Sequence, residues 1–418
     1  MVNKYIVTER AHFMCPNMFF GMFVQILGKY DKDKFLNCIL HLSEAHPLLK
    51  SVIKYEENTT KLYYDITDRF QIEIVEKQEE NTWLEDYRNV GAKEWNAFKN
   101  GLLKLYVYPS KNHFKILFIA HHLLGDGRCV INLVNELVNM YVDGSKIDYR
   151  EERLIESLED LPEKSNLTGI SKYIVNRVNK QWKKEKHLVT YKEYAEFVEK
   201  FSLKNPVGHC IVKGTNSKLV EMKSFSKANQ ITLNDLLMAR LYIESGANKI
   251  TIAADIRDFL KFYQEGACGN YASAMGIVCK SKSKDIVAKS REVHKQVKKF
   301  TENNRNLMLV LSCYLTMDRD LIDSAAISGL GGFTSKAGQF VGGTMFGYAK
   351  RDGLCITNLG ILNNENIEDM IFIPPASPSV KNTIGIVTLN GQLSLCSSHY
   401  ENYIDKDTVE RQLQAMLS

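Results

Sequence analysis

The chain of 418 residues has no apolar run long enough to cross a bilayer. Its apolar stretch from Phe13 to Leu27 is broken by Pro16, Asn17 and Gln25, and it lacks the basic start and small-residue cleavage site of a leader. An integral membrane protein is therefore not expected, and a cytoplasmic one is. An excess of one charge is also missing. Lys and Arg number 54 against 49 Asp and Glu, and the net charge of +5 is too mild for a dedicated nucleic-acid binder of this size. Paired cysteines are missing too: the nine (Cys15, Cys38, Cys129, Cys210, Cys268, Cys279, Cys313, Cys355, Cys396) are scattered, which fits reduced thiols and not a disulfide framework. The glycines at 329, 331, 332, 338, 342, 343 and 347 match neither a Walker loop nor a dinucleotide fingerprint, and a mobile loop or close backbone packing accounts for them. What remains is a globular composition, 44% hydrophobic and 25% charged, with mass enough for two domains.

One stretch organises the rest. Phe114-Lys115-Ile116-Leu117-Phe118-Ile119 reads as a buried strand, and Val130, Leu133, Val134, Leu137, Val138 and Tyr141 recur at helical spacing from about Arg128. Between them lie His121-His122 and Gly125-Asp126-Gly127. A corner fixed on both sides by regular structure is a rigid mount for a reactive side chain. A neutral imidazole there can take a proton from a hydroxyl or amine as that group attacks a carbonyl. Adjacent residues of an extended chain point to opposite sides, so one of the two histidines faces any given cavity. The glycines permit a sharp turn that aims Asp126 back under the loop, although an Asp here also suits the cap of the following helix. No nearby Cys, Glu or third His completes a metal site with the pair.

The pattern His121-His122-x-x-x-Asp126-Gly127 resembles the signature of the acyltransferase superfamily that includes chloramphenicol acetyltransferase, nonribosomal peptide condensation domains and alcohol acyltransferases. In that family the second histidine is the catalytic base, which implies His122, and the aspartate is structural, which implies Asp126. A backbone N–H near Gly127, at the helix start, would steady the tetrahedral oxyanion. Farther on, Asp255-Ile256-Arg257 resembles the arginine segment of alcohol acyltransferases, where the arginine pairs with the motif aspartate. The resemblance thus implies an Asp126–Arg257 ion pair gripping the loop bidentately, with His121 and Arg257 as support of the site.

Gly269-Asn270-Tyr271-Ala272-Ser273 resembles the segment after that arginine, which marks Asn270 and Ser273 as substrate contacts or turn residues. Leu354 to Gly360 resembles a channel-lining strand, which marks Asn358. Lys280, Lys282 and Lys284 are either a contact for coenzyme A phosphates or a solvated charge run. The basic end of a helix over Asn166 to Glu185, Lys180 to Lys186 with Trp182, reads first as a solvated face. His46, before Pro47, reads as a helix-end residue. The aspartate-phenylalanine-glycine-tryptophan-glycine motif of plant members is absent.

The implied architecture is α/β: two chloramphenicol acetyltransferase-like lobes, each a mixed β-sheet flanked by helices, with a tunnel between them. The expected division is 1–165 and 166–418, across a linker or crossing segment from Val142 to Ser165. The implied activity is transfer of an acyl group from a thioester to a hydroxyl or amine, with acyl-coenzyme A as co-substrate, no bound cofactor or metal, and an active monomer. A carrier-protein thioester as donor, or a non-catalytic ligand-binding relative, are the other readings.

Overall fold

The histidine strand is apolar on both sides because both of its faces are covered. In the computed structural model, which describes residues 4–79, 81–91, 93, 95–185 and 187–418, it is β7 (His113–His121) of a five-stranded sheet. The order is β12 (Ile367–Ile373), β2 (Phe19–Leu27), β7, β6 (Leu103–Pro109), β5 (Glu73–Glu76), mixed because β5 runs parallel to β6. Ile116, Phe118 and Ala120 enter the core on one face, and Leu117 and Ile119 pack on the other. A strand buried on both faces reads as a continuous apolar run, as this one does.

A second mixed sheet has the order β10 (Ala272–Val278), β9 (Lys249–Asp255), β11 (Gly353–Leu362), β13 (Val380–Leu389), β14 (Gln392–Tyr400), β8 (Val207–Lys213). A small three-stranded sheet joins β1 (Lys4–Ile6), β4 (Leu62–Ile66) and β3 (Ser51–Tyr55). The helices are α1 (Arg10–Phe13), α2 (Lys32–Ala45), α3 (Trp83–Gly91), α4 (Gly127–Asp143), α5 (Gly169–Glu185), α6 (Tyr191–Lys204), α7 (Asn216–Ala228), α8 (Leu233–Ser245) and α9 (Ile286–Thr301), followed by shorter ones and a C-terminal helix, Lys406–Leu417. Helices α2 and α4 pack together over one face of the first sheet, while α8, α9 and the C-terminal helix share the core of the second.

Several expectations change. Residues Pro47–Lys50 form a 3-10 turn before β3 begins at Ser51. The helix expected over Trp83 to Phe98 ends at Gly91, against the ring of Phe19, and residues 92 and 94 of that span lie outside the described residues. The strand expected at Leu219 to Met222 is part of α7, whose Thr215 cap accepts from the Lys218 N–H. The segment from Val142 to Ser165 is packed and not a solvated linker: Glu152 and Ile155 are fully buried and Leu154 nearly so. Trp182 also points inward, its Nε1 donating to Asp320 at 3.4 Å, while Lys183 and Lys184 are exposed; Lys186 lies outside the described residues. The glycine-rich region is close backbone packing: a Cβ on Gly342 would meet the Ala325 carbonyl oxygen at 1.8 Å. One strand crosses the division expected at residue 165, since β12 from the second half pairs antiparallel with β2 in the first sheet.

Candidate active site

The end of β7 is tied down before the loop begins. The His121 N–H donates to the Leu102 carbonyl at 2.9 Å, and the His122 N–H to the Met18 carbonyl at 2.9 Å. The His122 carbonyl accepts from Asn270 Nδ2 at 2.6 Å, and the Leu123 carbonyl from the Tyr64 hydroxyl at 2.6 Å. Asn270, expected at the substrate, therefore holds the backbone of the histidine itself. Gly125 and Gly127 do not serve a left-handed turn, since neither has positive φ. They serve close approach: a Cβ on Gly125 would stand 2.8 Å from Cys129 Sγ, and one on Gly127 would stand 2.5 Å from Leu359 Cδ2.

Asp126 caps α4 and pairs with arginine at once. Its Oδ1 accepts from the Cys129 N–H at 3.0 Å and from Arg257 Nη2 at 2.8 Å, and its Oδ2 accepts from the Tyr271 N–H at 2.9 Å. Burial opposes its charge, but the Arg257 guanidinium and the two N–H donors outweigh that and hold the carboxyl below its usual range. The grip is not bidentate as expected. Arg257 Nη1 turns instead to Asp255 Oδ1 at 3.1 Å, and the guanidinium lies between the rings of Tyr263 and Tyr271, 5.4 and 5.0 Å from their centroids. The second oxygen of Asp126 is free for the Tyr271 N–H because Arg257 takes only one. The carboxylate thus joins the start of α4 to the segment after β9.

The two histidines face opposite ways. His121 is buried edge-on to Trp95, with centroids 5.6 Å apart, and its Nδ1 accepts from the Leu123 N–H at 3.1 Å. Burial, with His122 beside it, pushes its pKa down to about 3, so it is a neutral structural ring. His122 is half-buried, edge-on to Phe20 at 5.2 Å, and its Nδ1 has no hydrogen-bond partner. Burial lowers its pKa, with Asp126, its own carbonyl and Asn270 working the other way. A neutral imidazole on a fixed backbone is suited to accept a proton.

A third imidazole stands against it. His12, in α1, stacks on His122 with ring centroids 4.2 Å apart and 19° between planes, and its Nδ1 is likewise buried and unpartnered. Nothing in the sequence marked His12, because α1 is one turn long and shows no periodicity. The other expected site residues are more distant from this ring pair in role. The Ser273 hydroxyl is buried and donates to the Leu307 carbonyl at 2.5 Å. Asn358 is exposed and lines a cavity of about 240 Å³ with Arg128, Asn234, Ile252, Ala253, Ile356 and Gly360. Lys280 and Lys284 are exposed in the loop before α9. Among the described residues, a donor set with metal spacing is His46, Glu152 and Cys268, away from the motif histidines and already bonded to one another.

The fold has counterparts among solved structures. The trichothecene 15-O-acetyltransferase TRI3 from Fusarium sporotrichioides superposes with a TM-score of 0.66 at 12% identity, over 100% of this chain and 94% of that one. The condensation domain of the monacolin K polyketide synthase MokA gives 0.63 at 9% identity, over 100% and 96%. The fold is that of a condensation domain. The epimerization domain from the third module of tyrocidine synthetase B also shares it, at 0.61 and 13% identity over 100% and 96%. These neighbours are an acetyltransferase, a condensation domain and an epimerization domain, so the one fold carries different chemistries. The chemistry of this chain must therefore be argued from its own residues. No protein-family model and no curated protein matches the sequence.

Proposed function

We propose that the chain is an acyltransferase that moves an acyl group from a thioester to a hydroxyl or amine, with His122 as general base. The observation that carries this reading is the His122 ring: neutral, half-buried, without a bond to Nδ1, on a loop clamped by Asp126, Arg257, Asn270 and Tyr64. His122 takes the acceptor proton as the new C–O or C–N bond forms. The C–S bond then breaks, and the departing thiolate takes the proton back. Base catalysis of this kind contributes roughly 10²- to 10⁴-fold, and holding both substrates together supplies further rate.

The donor we propose is an acyl-coenzyme A, a co-substrate and not a resident cofactor. The cavity beside Arg128 and Asn358, between the start of α4 and strands β9 and β11, is the proposed donor side. A carrier-protein thioester is the competing donor, supported by the condensation-domain neighbours. Both sheets come from one chain, so the monomer is the proposed active unit. Nine free cysteines fit a cytoplasmic workplace, and no helix is long and apolar enough to cross a membrane among the described residues.

The test is thiol release from acetyl-coenzyme A, longer acyl-coenzyme A esters and an acylated carrier protein, each with alcohol and amine acceptors. Release that depends on His122 supports the proposal, and the preferred donor decides between coenzyme A and a carrier. Binding of acyl thioesters without any release identifies a ligand-binding relative instead.

A further inference from the structure

His12 is unexplained by the reading so far. Its ring buries a nitrogen with no partner, a loss that a phenylalanine stacked on His122 would avoid. Native structures keep such groups where the polar atom has a use. Its place is also held firmly. Arg10, two residues back on α1, forms a buried ion pair with Asp323 of helix Arg319–Gly329 through Nε and Nη2. The Tyr194 hydroxyl donates to the Cys15 carbonyl just after α1, at 3.1 Å.

In both rings Nδ1 is the buried atom, so Nε2 is the nitrogen each presents toward open space. The ring centroids are 4.2 Å apart and the planes nearly parallel, so a substrate that reaches the His122 ring is also within reach of the His12 ring. That spacing fits a tetrahedral centre. A base binds the attacking oxygen or nitrogen, and a donor beside it, about 2.7–3.1 Å from the second oxygen on the same carbon, holds the oxyanion.

Resting on the acyltransferase reading, we propose that His12 is a further catalytic residue: its Nε2–H donates a hydrogen bond to the oxyanion formed when the acceptor attacks the thioester beside His122. The step balances without any other reagent. The acceptor's proton goes to His122 Nε2, its electron pair forms the new bond to carbon, and the carbonyl π pair moves to oxygen. His12 stabilises that charge without giving up its proton. The carbonyl re-forms, the C–S bond breaks, and the thiolate takes the proton from His122. The two rings must hold opposite tautomers, Nε2–H on His12 and Nδ1–H on His122. Burial, with His122 and His121 close by, lowers the His12 pKa well below its ordinary value, so the ring is a neutral donor at physiological pH.

Nitrogen-15 NMR of the unmodified protein at about pH 7.5 reads the tautomers without any turnover. The expected result is Nε2–H on His12; an Nδ1–H tautomer or an imidazolium there overturns the proposal. Kinetics give the second readout. His12→Phe keeps the stacked ring and should lower kcat about 100-fold while leaving the donor KM within about 3-fold, and His12→Gln, which restores an N–H, should recover about 10-fold of it. An active wild type alongside an equally active His12→Phe overturns the role of His12 alone. A wild type that releases no thiol from any thioester removes the acyltransferase reading itself. Should His12→Phe fail to fold, the tautomer and His12→Gln still decide.

Discussion

His46 and His122 lie in the same half of the molecule, each at the end of a regular element, and their surroundings are opposite. His46 closes α2 and is fully buried, with Nδ1 on Glu152 at 2.9 Å and Nε2 on Glu136 at 2.7 Å. Burial opposes its charge, but the two carboxylates outweigh it and push the pKa up to about 9. His122 has a bare Nδ1, a ring stacked on another neutral ring, and a lowered pKa. One imidazole is saturated and charged, a bolt between α2, α4 and the segment after it. The other is held by its backbone and left unbonded at its ring. The difference teaches that the fold fixes His122 through its peptide groups and leaves its ring Nδ1 unbonded.

The largest expected contrast follows from exchanging the losses. His122→Ala should lower thiol release by roughly 10³-fold with little change in Tm. His46→Ala removes the imidazolium between Glu136 and the fully buried Glu152, leaving Arg150 at 3.5 Å for Glu136 alone, and should destabilise the fold by about 3–5 kcal/mol, measured by urea unfolding. If the two variants behave alike, the contrast is wrong. Arg257→Ala tests whether the loop needs its clamp. It strands Asp126, 6% exposed, without its cation, and should cost about 3–5 kcal/mol and reduce kcat as His122 loses its position.

The pH dependences have different origins. The folded pKa of His46 lies above its unfolded value near 6.5, so its contribution is present in full below about pH 6.5 and is lost as pH rises through about 9. Thermal unfolding across pH 6 to 10 should show up to about 3 kcal/mol of stability disappearing over that window, and His46→Gln should flatten the slope. Activity should respond in the other direction. His122 must be neutral to act, and its pKa is lowered, so the acid limb of kcat/KM should have its midpoint below 6.5.

The smallest effect belongs to Glu9, buried beside α1 with Oε2 unpartnered and its pKa raised by burial to about 7. A carboxyl raised in this way loses its contribution as pH rises through about 7. Glu9→Gln should therefore raise stability at pH 8 by about 1–2 kcal/mol while changing it little at pH 5.

Much of the site was legible because its parts are local. The apolar run of β7, the capped start of α4 and the glycines around Asp126 are neighbours in sequence, and each follows from strand burial or helix capping. The reach from Asp126 to Arg257 came from resemblance, since no local pattern points to a partner 131 residues away. The structure gives the pair, with one oxygen instead of two. His12 and the partners of His46 were not legible, since they depend on contacts 110 and 106 residues away or set by tertiary packing alone. The misreading of Leu219 to Met222 has a local cause: three apolar residues around Glu221 fit a short strand or a helix face equally, and the Thr215 cap was the arbiter.

The crossing of β12 into the first sheet has a mechanical consequence. Seven residues drawn from the far half supply that sheet's border next to β2, so the halves are buckled together and cannot part like hinged shells. A chain cut into 1–165 and 166–418 would leave β2 with an open margin, prone to clump with its copies.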